Sequence, residues 1–191
     1  MARPRSFDVE EVLDAATLVF WDKGYAATTP QDLCDATGLG RGSLYNAFVG
    51  KRELFDRVLE RYNAKGAVAQ LAVLDQPTPV KDRIHALLMI TLGEGGLAGR
   101  AGCLAVSTAV QLGGNDAELN RLLRKRFSQT EKALVAAIEF GQACGEIRKD
   151  VSAVLLARLV LSAMYGMTVV DSVFDDRKRL REIVDTAVAV L

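Results

Sequence analysis

The sequence predicts an all-α protein of about nine helices, and three observations support this prediction. Apolar residues recur at the spacing of one helix face along most of the 191-residue chain. The alternation of apolar and polar residues that is typical of a half-buried strand is nearly absent. Glycine and proline occur at intervals that separate helices of ordinary length. Short helices are expected in the N-terminal part and longer ones in the C-terminal part.

The first helix is expected to begin at Asp8 and to stop at Gly24. Asp8 has Glu11 three residues further on, which is the spacing of a capping box, and glycine often ends helices. One apolar stripe runs along this segment, formed by Val9, Val12, Leu13, Ala16 and Phe20. The stripe predicts that one face of the helix packs on a core.

Two short helices are expected next, joined by a tight turn. Thr29 offers a hydroxyl N-cap and Pro30 suits the first helical position. Gly38 keeps this second helix short, and the third covers residues 41–48. This order is the plan of a helix-turn-helix unit. Short helices with glycine turns also occur in other all-α domains, so the spacing alone leaves both interpretations open.

Six longer helices are expected to complete the chain. They are expected at about residues 51–72, 79–92, 103–112, 116–143, 151–172 and 175–191. The change from short to long helices near residues 64–77 marks a joint. We therefore expect a helix-turn-helix domain over residues 1–50, a connecting helix and joint over 51–76, and a larger helical domain over 77–191.

The composition excludes several classes of protein. Half of the residues are hydrophobic, which is too many for a disordered chain. The longest strongly apolar stretch, residues 159–170, is shorter than the roughly 20 residues that span a bilayer, so no membrane partner is expected. No apolar run follows the N-terminal charges, so no signal peptide is expected. Three separated cysteines (Cys34, Cys103 and Cys144) are typical of reduced thiols in a cytoplasmic protein.

The net charge of zero, from 24 basic and 24 acidic residues, argues at first against a nucleic-acid partner. The placement of the charges reverses this argument. Two acid-free stretches, residues 1–7 and 36–52, contain Arg3, Arg5, Arg41, Lys51 and Arg52. The segment between them holds seven acids against one lysine. The acid-free stretches are those that a helix-turn-helix unit places against a duplex, and a helix N-terminus at Lys51 favours phosphate.

The third helix separates its apolar and polar residues. Leu44 and Phe48 lie one turn apart and are expected to be buried. The opposite face carries Arg41, Gly42, Tyr45 and Asn46. Arginine can pair with guanine and asparagine with adenine in a major groove, tyrosine can reach a phosphate, and glycine permits close approach. This face is the candidate DNA-contacting surface.

Four motifs in the first third of the chain resemble the TetR family of transcriptional regulators. They are Gly24-Tyr25, Thr28-Thr29 to Leu33, Gly38-Leu39-Gly40-Arg41-Gly42-Ser43-Leu44-Tyr45-Asn46-Ala47-Phe48 and Lys51-Arg52-Glu53-Leu54-Phe55. The resemblance covers about residues 7–62. It implies a dimeric regulator, by family prevalence a repressor, whose N-terminal domain binds a palindromic DNA operator and whose C-terminal domain binds an effector.

The resemblance also implies roles for individual residues. Phosphate contacts are expected for Thr29, Tyr45 and Lys51, and groove-facing positions for Arg41, Gly42 and Asn46. Many members of the family carry histidine where Asn46 stands. The predicted DNA-binding set is completed by Arg3, Arg5, Ser43 and Arg52.

The C-terminal part is expected to bind a small, mostly apolar effector. The candidate ligand-binding residues are Met89, Leu92, Cys103, Val106, Ser107, Gln111, Phe127, Met164 and Tyr165. Apolar and small polar side chains dominate this set, which is typical of a pocket for a neutral molecule. Ordinary core packing is the alternative explanation for each of them. A nearby basic run is expected to be a solvated helix face: Arg121, Arg124, Lys125 and Arg126.

The last two helices offer a surface for self-association. Residues 151–172 mix large apolar residues with small ones, which permits close helix approach. Together with the terminal helix and a two-fold copy, they could form a four-helix homodimer interface. An intramolecular core is the alternative.

Other functions have less support in the sequence. Cys103 is expected near a helix N-terminus, where thiolates are stabilised, so thiol sensing stays open. His85 and Met89 share a helix face, but a metal sensor would also need Cys103 or Cys144. A helical small-molecule binding protein without DNA recognition is a further alternative. No catalytic arrangement, phosphate-binding loop or metal-ligand cluster is recognised, so neither an enzyme nor a cofactor is expected.

Overall fold

A computed structural model describes residues 7–91, 102–114, 116–174 and 176–191. Within these ranges the protein has nine helices and no strand. The helices are α1 Val9–Ala27, α2 Pro30–Thr37, α3 Arg41–Ala47, α4 Lys51–Leu74, α5 Val80–Thr91, α6 Leu104–Leu112, α7 Ala117–Cys144, α8 Ala153–Phe174 and α9 Arg177–Ala189. The all-α prediction is confirmed.

Helix α1 differs from its prediction at both ends. The Asp8 carboxylate caps it by accepting from the backbone N–H of Glu10 at 2.8 Å, so the predicted box with Glu11 is replaced by a simple N-cap. At the other end, Gly24 kinks the helix without ending it, and the helix continues to Ala27. Gly24 has φ 71° and ψ 168°, a conformation that is essentially restricted to glycine.

Helix α2 begins and ends as its residues predict. The Thr29 hydroxyl accepts from the backbone N–H of Asp32, and the Asp32 carboxylate accepts in return from the backbone N–H of Thr29. Gly38 follows the helix in the left-handed conformation, with φ 68° and ψ 8°. The tight turn therefore leads directly into α3.

Two apolar clusters form the interior, and α4 contributes to both. The first contains residues of α1, α2, α3, α4, α6 and the start of α7. Its members from α4 are Leu54, Phe55, Val58 and Leu59. The other joins α5, α7, α8 and α9 with Leu74 at the end of α4. Because α4 packs in both clusters, a displacement of its C-terminal half would reach the helix-turn-helix unit. The domain bounds 1–50, 51–76 and 77–191 stay a prediction.

Several acids of the N-terminal segment pair with basic residues of α4. Arg61 contacts the carboxylates of Glu10 and Asp14 at 2.8 and 3.0 Å. Lys65 contacts Asp14 at 3.1 Å. These acids are therefore held against α4, and none of the three pairs involves a residue of α3.

Helix α8 is longer than the apolar segment that the sequence predicted. The apolar segment was expected to be too short to span a bilayer, but the helix has 22 residues and meets the length and composition of a membrane span. Less than half of its most apolar window is buried. Its inner face, which includes Leu156, Val160 and Met164, packs in a core that also contains residues of α5, α7 and α9.

Candidate nucleic-acid interface and effector site

Helix α3 exposes the polar face that the sequence predicted. Leu44 and Phe48 are 2% and 1% exposed and anchor the helix in the N-terminal core. Exposed positions on α3 are Arg41, Gly42, Ser43 and Asn46. Tyr45 is half-buried, and the Arg41 guanidinium carbon lies 6.0 Å from the centre of its ring. The arrangement leaves the guanidinium and amide groups available to base edges.

Thr29, at the start of α2, is a further predicted DNA contact. Thr29 is exposed, and its hydroxyl can still donate a hydrogen bond while it caps the helix. The Lys23 Nζ atom lies 2.7 Å from the Asp32 Oδ1 atom. Hydrogen bonds from Lys23 and Thr29 lower the pKa of the Asp32 carboxyl from 3.8 to about 2. This ionised carboxylate fixes the turn that presents Thr29.

The N-terminus of α4 lies close to the end of α1. The Lys51 Nζ atom lies 4.5 Å from the centre of the Tyr25 ring and 3.4 Å from the carbonyl oxygen of Ala26. Gly50 precedes the helix without a side-chain cap. The first N–H groups of a 24-residue helix are thus available to an anion such as a phosphate.

Arg52 has a different environment from the one expected. It pairs with Asp56 at 2.8 Å and with Asp116, the N-cap of α7. These two carboxylates, Asp116 foremost, raise the pKa of the guanidinium. In this structure Arg52 therefore joins α4 to α7, and a phosphate would have to compete with both carboxylates. The predicted contacts of Arg3 and Arg5 lie outside the described residues.

A cavity of about 290 Å³ opens between α1, α6 and α8. Four of the predicted ligand-binding residues line it: Cys103, Val106, Ser107 and Gln111. The other lining residues were not predicted from the sequence: Trp21, Gly102, Val110, Thr168, Val169 and Ser172. Trp21 comes from α1, so a ligand in this cavity would directly touch the helix that precedes the helix-turn-helix unit.

Comparison with known proteins identifies the family. The profile described as bacterial regulatory proteins, tetR family, matches residues 12–58, and the one described as tetracyclin repressor-like, C-terminal domain, matches residues 81–187. The chain belongs to the tetR family. The HTH-type transcriptional regulator YezE of Bacillus subtilis is 32% identical over the full length of both chains. The HTH-type transcriptional repressor ComR of Escherichia coli is 29% identical, over 87% of this chain and 80% of its own.

A solved structure agrees with this assignment. The tetR-family regulator CifR, in a cysteine mutant bound to a 26-base-pair operator, superposes with a TM-score of 0.84 and 26% identity over 98% of both chains. The predicted fold and the predicted class, a DNA-binding transcriptional regulator, are confirmed. The assignment of individual DNA-contacting residues stays a prediction.

Other predicted ligand-binding residues of this tetR-family protein do not line the cavity. Met164 is 1% exposed in the C-terminal core, and Met89 packs against the same core. The rings of Phe127 and Tyr165 contact each other, with centroids 4.8 Å apart. For Met89 and Met164, core packing accounts for their position. Leu92 lies outside the described residues.

Polar side chains cluster in the interior next to Cys103, among them Tyr62 and Arg126. The Tyr62 hydroxyl donates to the Cys103 Sγ atom at 3.5 Å, and the Tyr62 ring packs edge-on against Trp21. Arg126 donates from Nη1 to Thr130 at 2.7 Å and from Nη2 to Gln70 at 2.6 Å. The expectation of a solvated basic face was wrong for Arg126: it is half-buried, whereas Arg121, Arg124 and Lys125 are exposed.

Burial dominates the electrostatics of this group. It raises the pKa of Tyr62 well above its ordinary value, and it raises that of Tyr165 to about 12. It lowers the pKa of the Arg126 guanidinium, although nearby Tyr165, Cys103 and Tyr62 act in the opposite direction. The interior therefore penalises charge on all three side chains.

Metal sensing finds no support in the part of the chain that is described. No three histidine, cysteine or acidic side chains come together there as ligands. His85 Nε2 instead lies 3.3 Å from the carboxylate of Asp185 on α9. Cys144 is exposed and Cys34 is half-buried against the N-terminal core.

Proposed function

We propose that this regulator is a cytoplasmic, ligand-responsive repressor, not an enzyme, that binds a palindromic operator as a homodimer and releases it when a small organic effector binds. The exposed polar face of α3 carries this proposal. Buried Leu44 and Phe48 anchor α3 in the N-terminal core, and Thr29 and the open N-terminus of α4 offer further candidate phosphate contacts. Operator binding by CifR supports the same role for this chain.

In the proposed complex, α3 enters the major groove. In it, Arg41, Gly42 and Asn46 face the bases, and Tyr45 and Ser43 contact the DNA backbone. Thr29 and Lys51 contact phosphates. Arg41, Ser43 and Asn46 are exposed, and Tyr45 and Lys51 are half-buried. Arg52 contributes only if it leaves Asp56 and Asp116.

The outer face of α8 supports a homodimer. Its exposed residues follow one continuous helical stripe, with small residues at the centre: Leu155, Leu159, Ser162, Gly166, Val169 and Val173. A lone chain would leave this apolar stripe in water. Packing against the same stripe of a second copy, with α9 alongside, buries it and fixes the distance between the two α3 helices.

Two structural connections can transmit effector binding. Helix α4 packs in both apolar clusters. Helix α6 contacts the kink of α1, where a β-carbon built on Gly24 would lie 2.5 Å from Gln111 Oε1. An effector that shifts α6 therefore acts on α1 as well as on α4. A population in which the two α3 helices no longer match successive grooves would release the operator.

Footprinting on the DNA that flanks the protein's own gene tests the proposal. The full-length protein should protect a palindromic site, and Arg41→Ala should abolish or alter the footprint. The same DNA, labelled for fluorescence anisotropy, is then titrated with a panel of small organic molecules. If no site is protected, the proposed DNA binding is contradicted. If no compound of the panel releases the protein from its site, the proposed ligand response is contradicted.

The surroundings of Cys103 favour one second candidate, regulation by thiol modification. Cys103 is the N-cap residue of α6, lines the cavity and accepts the hydrogen bond of Tyr62. A bulky group added to the sulfur would crowd the Tyr62 hydroxyl and press on α6. N-ethylmaleimide should then release the operator from wild-type protein and from Cys144→Ser, but not from Cys103→Ser. Equal release from all three proteins would exclude this candidate.

A further inference from the structure

Arg126 carries a charge that no carboxylate balances in the described part of the chain. Its guanidinium donates to Thr130 and Gln70, both neutral, and retains further N–H donors. The titratable side chains that act electrostatically on the guanidinium are Tyr165, Cys103 and Tyr62, and none of these is a carboxylate. A half-buried cation among neutral partners is costly unless an anion joins it.

Asn63 supplies a second unsatisfied group on the facing helix. It is 6% exposed, and within the described ranges neither its amide nitrogen nor its amide oxygen has a hydrogen-bond partner. It lies one turn before Gly66, where an added β-carbon would be 3.4 Å from Arg126 Nη2, and two turns before Gln70. Asn63 is therefore on the α4 face that meets Arg126.

A ligand with a negatively charged, planar head group would satisfy both residues. A carboxylate accepts several hydrogen bonds at once, from a guanidinium in a matched geometry and from an amide N–H. A single guanidinium balances a single negative charge, which favours a carboxylate over a doubly charged phosphate ester. Tyr62 also connects this group to Cys103 and Trp21, two residues that line the cavity.

We propose that Asn63 and Arg126, assisted by Gln70 and Thr130, bind the carboxylate of a small organic acid, and that the effector is such an acid with an apolar body. This inference rests on the proposed function, because it names the chemical class of its effector. It also revises the expectation of a mostly apolar, neutral molecule.

The test compares acids with their own amides in direct binding to the full-length protein. The probes are butanoate, octanoate, benzoate and phenylacetate, each paired with the corresponding primary amide. Trp21 is the single tryptophan of the chain, and its ring touches Tyr62, so its fluorescence reports binding. At least one acid should bind about tenfold more tightly than its amide, since the amide lacks the charge.

Variants then assign the effect to the site. Arg126→Met should weaken acid binding about tenfold and leave amide binding unchanged, and Asn63→Ala should weaken acid binding to a smaller extent. Arg126→Lys, which keeps the charge but loses the planar donor geometry, provides a readout if the methionine variant does not fold. Arg124→Met is the matched control, because Arg124 is exposed on the same helix. Acids that bind no better than their amides, or bind Arg126→Lys and Arg126→Met as tightly as wild type, would overturn the proposal.

Operator binding, measured in parallel, separates this proposal from the proposed function. If acids bind through Arg126 but operator affinity does not change, the site is correct and ligand-responsive repression is wrong. If neutral amides release the operator as well as acids do, also from Arg126→Met, repression is correct and the carboxylate site is wrong.

Discussion

Lys51 tests the docking geometry at the scale of a single residue. Its ammonium group lies against the Tyr25 ring at the open start of α4, where we expect a phosphate. Lys51→Ala should weaken binding to every DNA sequence by a similar factor. The slope of log affinity against log salt concentration should become shallower by about one, because one fewer counterion is released. Anisotropy titrations at several salt concentrations measure both. Lys149→Ala, at an exposed lysine after α7, is the control and should keep the wild-type slope.

Arg41 should behave differently because its proposed contact is to a base. Arg41→Ala should cost roughly 1–3 kcal/mol on the preferred operator and much less on operators altered at one position. Competition titrations with operators substituted one base pair at a time identify that position. A uniform loss on all sequences, with a shallower salt slope, would show that Arg41 contacts a phosphate.

Asp32 gives a pH-dependent prediction for the helix-turn-helix unit. Its pKa in the folded protein is about 2 against an ordinary value of 3.8, so the ionised carboxylate stabilises the fold. This stabilisation is complete above pH 4 and is lost as the pH falls from 4 towards 2. Thermal unfolding of Asp32→Asn should therefore show a lower midpoint than wild type at pH 7, and the difference should narrow below pH 4. Asp35→Asn, on the same helix but bonded to Gln31, controls for the loss of a carboxylate. A difference that persists unchanged to pH 3 would contradict the assignment.

At the scale of helices, two glycines with positive φ predict different costs. Gly38 is in the left-handed region with no atom within 4 Å of an added β-carbon, so Gly38→Ala should cost about 1 kcal/mol of unfolding free energy. Gly24 has φ 71° and ψ 168°, and an added β-carbon would meet Gln111. Gly24→Ala should cost more, about 2–3 kcal/mol. Urea unfolding measures both, and Gly24→Ala combined with Gln111→Ala separates backbone strain from the clash. Equal costs for the two single variants would mean that the kink of α1 relaxes freely.

Helix ends were predictable where neighbours in the chain determine them. The Thr29 N-cap and the turn at Gly38 involve only residues a few positions apart, and both were predicted at the right place. Gly24 was not, because glycine permits a kink as well as a stop, and contacts made by α6 accompany the kink. The apolar and polar faces of α3 followed from helical spacing alone.

Contacts between distant parts of the chain could not be predicted in this way. Arg52 pairs with Asp116 across 64 positions, and no local pattern indicates that partner. Arg126 belongs to a basic run, and only the packing of α4 on α7 distinguishes it from its exposed neighbours. Trp21 lines the cavity although it belongs to α1, which was expected to lie in the other domain. Side chains that join two parts of the molecule require the tertiary structure.

At the scale of the whole molecule, the cavity and the exposed face of α8 lie next to each other. Val169 both lines the cavity and belongs to the exposed α8 stripe, so the proposed effector site and the proposed subunit contact share a residue. A ligand in the cavity therefore acts close to the proposed dimer contact as well as on α1. This proximity makes the dimer the unit in which the response should be measured.

The exposed stripe of α8 leads to a prediction about placing an acidic residue in the proposed dimer interface. Leu159 is 49% exposed in the single chain and would face its two-fold copy or a neighbour of it in the dimer. Leu159→Glu should bring two carboxylates into an apolar interface and dissociate it. Sedimentation at micromolar concentration should then give a mass near the 20.7 kDa of one chain, against twice that mass for wild type.

The same substitution should reduce affinity for the complete palindrome to the affinity for a single half-site, because the two α3 helices are no longer linked. Val68→Glu is the matched control, since Val68 is 70% exposed on α4 and lies away from the stripe. It should stay dimeric and bind the palindrome with wild-type affinity. If Leu159→Glu sediments as a dimer and binds the palindrome as tightly as wild type does, the subunits associate through another surface. The spacing of the two α3 helices would then have to come from that other surface.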